Sequence, residues 1–262
     1  METSSLKCLE GVKILITRPE GQNLLLSSKL RNLGATTVEL PAITILSPQS
    51  TDRLDRSILR LLHYDWLIFT SVHGVRFFSQ RLEALGEPLD KLKQVKVAAI
   101  GPATAAALKR LGKEPDYVPV QYLSEKIAVG LGDVKGKQIL LPRADIASKN
   151  LPDLLRQRGA KVEEVVAYRT VIPEGLSADR VKSVLNQGID LVAFTSPSTV
   201  RNLAQTVGTN KLGVLLKGVK VACIGPVTAE ATKKLGIHVD VVARAHTIDD
   251  LVEAIENDIG TV

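Results

Sequence analysis

The side chains best able to do chemistry in this sequence come in pairs. Thr17-Arg18 is matched by Arg143, Thr70-Ser71 by Thr195-Ser196, and Gly101-Pro102-Ala103-Thr104 by Gly225-Pro226-Val227-Thr228. Hydroxyls, guanidinium groups and the free N–H groups of a turn entering a helix suit the recognition of carboxylates and other anions. The Thr of each Gly-Pro-x-Thr motif is expected either to cap its helix or to bond a ligand carboxylate. The candidate binding residues are therefore Thr17, Arg18, Thr70, Ser71, Gly101, Thr104, Arg143, Thr195, Ser196, Gly225, Pro226 and Thr228.

One chemically capable residue has no counterpart. In the register that sets Arg143 against Arg18, Tyr168 stands opposite Ile43, so one copy of a duplicated extended segment carries a phenol. That asymmetry suits a single catalytic site in which the phenol gives up a proton; the competing reading is a half-buried tyrosine in a connector. On a regular strand Val166, Tyr168 and Thr170 share one face, and Val165, Ala167 and Arg169 the other.

Other signatures are missing. There is no GxGxxG dinucleotide fingerprint, GxxxxGK[ST] phosphate loop, GxSxG elbow or HExxH pair. His63, His73, His238 and His246 are scattered and read as surface or capping residues. Cys8 and Cys223 have neither metal nor disulfide spacing, so no metal site is expected. Asp65 and Asp190 recur just before strands, on the side away from the expected binding edge, and segments 113–125 and 205–217 carry no assignable motif.

The elements that must position these residues follow from an internal duplication. Gly11-Val-Lys-Ile-Leu-Ile-Thr-Arg18 recurs as Gly136-Lys-Gln-Ile-Leu-Leu-Pro-Arg143, and Tyr64-Asp-Trp-Leu-Ile-Phe-Thr-Ser71 as Ile189-Asp-Leu-Val-Ala-Phe-Thr-Ser196. Val97-Ala-Ala-Ile-Gly-Pro-Ala-Thr104 recurs as Val221-Ala-Cys-Ile-Gly-Pro-Val-Thr228. Each half alternates short apolar runs with helical patterns, the signature of an α/β fold with two doubly wound parallel sheets. Ligands of such sheets bind beyond the carboxyl ends of the strands, where every paired polar motif falls. The last helix is expected to start at Thr247, with Asp250 as its capping partner. The repeat itself leaves the boundaries open between a split near residue 130 and an exchange of elements through two crossing segments, 38–46 and 162–172.

Composition narrows the classes of function. The apolar content of 45% and charged content of 24% describe a folded chain, and the net charge of +6 suits an anionic ligand. Aromatic residues are only 3%, and no nucleic-acid-binding motif appears, so a base-stacking surface is not expected. No charge-free run approaches the roughly 18 residues of a membrane span, and the start lacks a secretory signal; neither membrane nor export is expected.

The ordered set Ile14-Leu-Ile-Thr-Arg-Pro19, Asp65-Trp-Leu-Ile-Phe-Thr-Ser71, Ala99-Ile-Gly-Pro-Ala-Thr104 and Leu141-Pro-Arg143 continues with Gly159-Ala160, Ala167-Tyr-Arg-Thr170, Phe194-Thr-Ser-Pro-Ser198 and Cys223-Ile-Gly-Pro-Val-Thr228. Together these resemble uroporphyrinogen-III synthases over about residues 11–257. The resemblance implies two flavodoxin-like domains joined by a two-stranded connector, one of residues 1–40 plus 172–262 and the other of 41–171. It also implies closure of the linear tetrapyrrole hydroxymethylbilane to uroporphyrinogen III, with ring D inverted, water lost and no metal or organic cofactor. Tyr168 takes the place of the family's tyrosine, and a cytoplasmic monomer is expected. The substrate's eight carboxylates suit the basic charge and the hydroxyl-lined edges. A non-enzymatic two-lobed binding or sensor protein for an anionic small molecule is the alternative; it explains the duplication but not the single phenol.

Overall fold

The computed structural model describes residues 8–259. Ten strands run β1 (Lys13–Ile16), β2 (Thr36–Glu39), β3 (Thr44–Leu46), β4 (Trp66–Phe69), β5 (Lys96–Ala99), β6 (Gln138–Ala144), β7 (Lys161–Val171), β8 (Leu191–Phe194), β9 (Lys220–Cys223) and β10 (Val241–Val242). They form two sheets, in the orders β10-β9-β8-β1-β2 and β3-β7-β6-β4-β5. Among the described residues no helix is long and apolar enough to cross a membrane.

The chain divides into two compact units. Unit 1 holds the described residues up to Thr44 and from Val171 onward, and unit 2 is Ile45–Thr170. Taken in chain order, unit 1's strands follow the flavodoxin-like arrangement, with β1 between β2 and β8 and then β9 and β10 outward, all in parallel register. Unit 2 has this arrangement with its chain order permuted and β3 added at the edge beyond β7: β6 stands where β1 does, β7 where β2 does, β4 where β8 does, β5 where β9 does, and an isolated parallel bridge from Ala98 to Tyr117 replaces β10. Each repeat half therefore supplies strands to both units.

Both faces of the central strands are covered. In β1, Ile14 and Ile16 enter one apolar cluster and Leu15 the other; in β4, Leu67 and Phe69 face one cluster and Ile68 the other. Such doubly buried strands read as continuous apolar runs rather than alternating ones. The repeated aspartates order the strands from their amino ends. Asp65 accepts the N–H of Gln138 at 2.8 Å and Asp190 that of Lys13 at 2.8 Å, while Asp116 and Asp240 do the same for Val97 and Val221. Each carboxylate thereby fixes the start of a neighbouring strand. The last helix, Ile248–Ile259, is capped by Thr247, which accepts from Asp250 N–H at 3.2 Å; the Asp250 carboxylate reaches back to Ala245 N–H rather than to Thr247.

Candidate active site

Tyr168 lies near the carboxyl end of β7, and its aim is set by a break in the ladder. Arg143 pairs with Val166 but Ala144 pairs with Tyr168, which leaves Ala167 over as a bulge. A bulge turns the residues beyond it relative to the regular alternation. Tyr168 consequently packs in the same apolar cluster as Val165 and Ala167, whereas Val166 is exposed. The face expected from strict alternation is thus corrected: Tyr168 leaves the side of Val166 and joins that of Val165.

The bulge brings the phenol to the carboxyl ends of β4 and β6, where the strand order of unit 2 reverses. Ligands of open parallel sheets bind at this point. The Tyr168 hydroxyl is 2.9 Å from Ser71 Oγ, and Ser71 caps the helix Val72–Ala84 by accepting Gly74 N–H at 2.9 Å. The helix can come this close because residue 74 has no side chain: a Cβ there would stand 3.1 Å from the Pro142 carbonyl. Phe77 of the same helix stacks on the Tyr168 ring at 5.9 Å, and His73 tilts against it at 5.5 Å. His73, expected as a surface or capping residue, belongs to this site. Tyr168 is 7% exposed, and burial pushes its pKa above the usual phenol value, opposed by the Ser71 hydrogen bond and the positive charge of Arg143. It is therefore a protonated phenol at neutral pH.

Arg143 itself is committed elsewhere. Its side chain is 9% exposed, contacts Glu164 at 3.3 Å and donates to the Ser148 carbonyl at 2.7 Å, while its Nε is buried without a partner. Lys149 and Arg156 reach the same Glu164 carboxylate. Read from the sequence as a ligand contact, Arg143 in the structure holds the end of β6 to β7. Thr70 is half-buried at the end of β4.

Unit 1 repeats the frame without the phenol. Thr17 donates to the Ala193 carbonyl across the β1–β8 junction at 3.2 Å, and Arg18 donates to the Gln22 carbonyl. Ser196 caps the helix Pro197–Val207 as Ser71 caps its own, but its Oγ pairs with Ser198 at 2.9 Å, and the position matching Tyr168 is the buried Ile43. Thr195 is half-buried beside it.

The Gly-Pro-x-Thr motifs differ from expectation. Gly101 and Gly225 are the N-caps, Pro102 and Pro226 open the helices Pro102–Arg110 and Pro226–Lys233, and Thr104 and Thr228 sit one turn in, each 3% exposed. Neither threonine caps its helix. The glycines are needed because rings lie against them: a Cβ on Gly101 would stand 3.2 Å from Tyr122, and one on Gly225 only 2.9 Å from His246. Tyr122 and His246 are 124 positions apart, the register that pairs Gly101 with Gly225, so a ring over each glycine is part of the duplication. Both residues are exposed, and sequence reasoning missed them because Tyr and His share no type for a motif search to find.

Two doubly wound units with hydroxyls and helix N-termini at their carboxyl edges, one of them holding a buried phenol, define a class of α/β protein suited to a polyanionic small molecule. Comparison with known proteins is specific. The family model described as "Uroporphyrinogen-III synthase HemD" matches residues 25–253, and the chain belongs to this family. It is 34% identical to the uroporphyrinogen-III synthase of Synechococcus elongatus over 95% of this chain and 96% of that one. A putative uroporphyrinogen-III synthase of Methanothermobacter thermautotrophicus is 31% identical, over 94% of this chain and 98% of the other. Among solved structures, a mutant uroporphyrinogen III synthase from Thermus thermophilus superposes with a TM-score of 0.70 at 22% identity, covering 96% of this chain and 100% of that one. The fold is shared with it.

Proposed function

We propose that this chain closes hydroxymethylbilane to uroporphyrinogen III, inverting ring D and releasing water, with Tyr168 as proton donor to the departing hydroxyl. The observation that supports this is the Tyr168–Ser71 pair at the strand-order reversal of unit 2, set against Ile43 and Ser198 at the matching place in unit 1. A duplicated scaffold needs no such difference for binding alone.

The phenolic proton passes to the hydroxymethyl oxygen as the C–O bond breaks, the electron-rich pyrrole pushing from the carbon side and water leaving. The substituted α-carbon of ring D bonds to the methylene so formed, its existing bond to the bridging carbon breaks, and that bridging carbon rejoins ring D at the unsubstituted α-carbon, which inverts the ring. The proton that this pyrrole loses restores the phenol, so atoms and charge balance with water as the sole by-product. A phenol is a weak acid at neutral pH, and burial makes Tyr168 weaker still. Its contribution is accordingly modest, and most of the acceleration comes from holding the folded chain so that ring D closes in the inverted sense. Hydroxyls of Thr70, Thr195 and Ser196, the Arg18 guanidinium and the N–H groups around Gly101 and Gly225 are the proposed carboxylate contacts, whereas Thr17, fully buried and bonded to the Ala193 carbonyl, joins β1 to β8. The same reading has the chain acting as a cytoplasmic monomer without metal or organic cofactor.

The test is to supply freshly made hydroxymethylbilane and separate the isomers produced. Predominant isomer III is expected; isomer I alone, at the uncatalysed rate, would refute the proposal.

A further inference from the structure

We infer that Ser71 is the positioning residue of this site: its hydroxyl donates to the Tyr168 oxygen, aiming the phenolic proton outward and holding the negative charge that its departure leaves. The inference rests on the reading of Tyr168 as proton donor and adds to it the direction of the hydrogen bond.

Ser71 Oγ has one proton and two lone pairs. One lone pair accepts Gly74 N–H at 2.9 Å as the cap of Val72–Ala84, and the Tyr168 oxygen lies 2.9 Å away on another side. If Tyr168 donated to Ser71, the phenolic proton would be spent inside the protein and unavailable to a leaving group. With Ser71 as donor, a continuous chain runs from Gly74 N–H through Oγ–H to the phenol oxygen. A cap polarised by the positive end of a 13-residue helix is a stronger donor, and it stabilises a developing phenolate as preorganised donors stabilise other oxyanions. The comparison inside the molecule separates the two roles. Ser196 caps Pro197–Val207 in the same way, yet its Oγ meets Ser198 and no phenol. Capping is thus common to both units, and the bond to a phenol belongs to Ser71 alone.

The charged and titratable groups around Tyr168 are Arg143 and Asp145 from the end of β6 and the loop beyond it, and His73 from the helix. None of them is altered by a change at residue 71.

Three variants test the inference. Ser71→Ala removes donor and cap, Ser71→Asp keeps an acceptor for Gly74 N–H but has no proton to give at neutral pH, and Ser71→Thr keeps both functions. Each is assayed for kcat and KM of isomer III formation, for urea stability, and for ionisation of Tyr168, read as the ultraviolet difference against the same protein carrying Tyr168→Phe. Ser71→Ala and Ser71→Asp are expected to lower kcat about tenfold with KM within about twofold, the size of one hydrogen bond to a charged group. Tyr168 should ionise at higher pH in both, and Ser71→Thr should restore rate and titration. A parent kcat in Ser71→Asp, or a kcat loss with the Tyr168 titration unmoved, overturns the inference; the second result would make Ser71 a direct substrate contact. If Tyr168→Phe turns over at the parent rate, the proton-donor reading fails instead, while the titration still decides the direction of the Ser71–Tyr168 bond.

Discussion

At the scale of single residues, Tyr168 and Arg143 show opposite outcomes of the same kind of sequence evidence. Tyr168 stands out because it breaks the repeat, and its hydroxyl has a partner at the strand-order reversal. Tyr168→Phe removes one oxygen and retains the stacking on Phe77, so the fold should persist while isomer III formation drops by about 10²-fold, the lower end for general acid catalysis. The isomers must be resolved in that assay, because spontaneous closure to isomer I continues and total porphyrin would mask the loss. Arg143 instead matches the repeat, but its guanidinium is spent on Glu164 and Ser148. Arg143→Met is expected to lower stability by roughly 2 kcal/mol, less than a fully buried broken pair because Lys149 and Arg156 still reach Glu164. Urea unfolding checks this, and unchanged stability with a large rise in KM would return Arg143 to the substrate.

At the scale of elements, the helix Val72–Ala84 does the positioning, and Gly74 sets its distance from β6. Gly74→Ala places a methyl 3.1 Å from the Pro142 carbonyl, so the helix must move by a few tenths of an ångström. Helix propensity favours alanine by about 1 kcal/mol, yet the crowding is expected to cancel that gain and to lengthen the Ser71–Tyr168 bond. The expected result is near-parent stability with a several-fold lower kcat; higher stability at full activity would show that the approach is not tight. The strands were legible because apolar runs buried on both faces repeat in register, and so were the loops that follow them. The bulge at Ala167 was not, since it depends on how β7 meets β6 and leaves no mark in residue type. The pairing of Tyr122 with His246 was present in the 124-residue register but hidden by unlike side chains over equivalent glycines. Thr104 and Thr228 misled because a glycine before a proline satisfies the cap position without a side chain.

At the scale of the whole molecule, the two units differ in what they report. The single Trp and all four Tyr fall between residues 45 and 170, so intrinsic fluorescence follows unit 2 alone. That unit also contains Asp55, held low by its hydrogen bond from Arg81, and Asp65, held low by Lys137 and Gln138 N–H. Burial raises Glu164, but hydrogen bonds from Arg156 and Lys149 outweigh it and the net direction is down. A carboxylate whose folded pKa is depressed contributes stability above its unfolded value and loses it as pH falls toward the folded one. Urea midpoints followed by Trp66 emission should therefore decline as pH drops below about 4, and a midpoint constant to about pH 3 would contradict this. The exchange of strands between repeat halves also bears on how the chain is made. Unit 2 is one continuous segment and can close while synthesis proceeds. Unit 1 joins β1 to β8, with Lys13 and Asp190 in contact across 177 residues, so the apolar flank of β1 must wait on the ribosome for a partner not yet translated. Stalled nascent chains that end near residue 200 should accordingly resist protease within unit 2 while residues 13–39 remain open to cleavage.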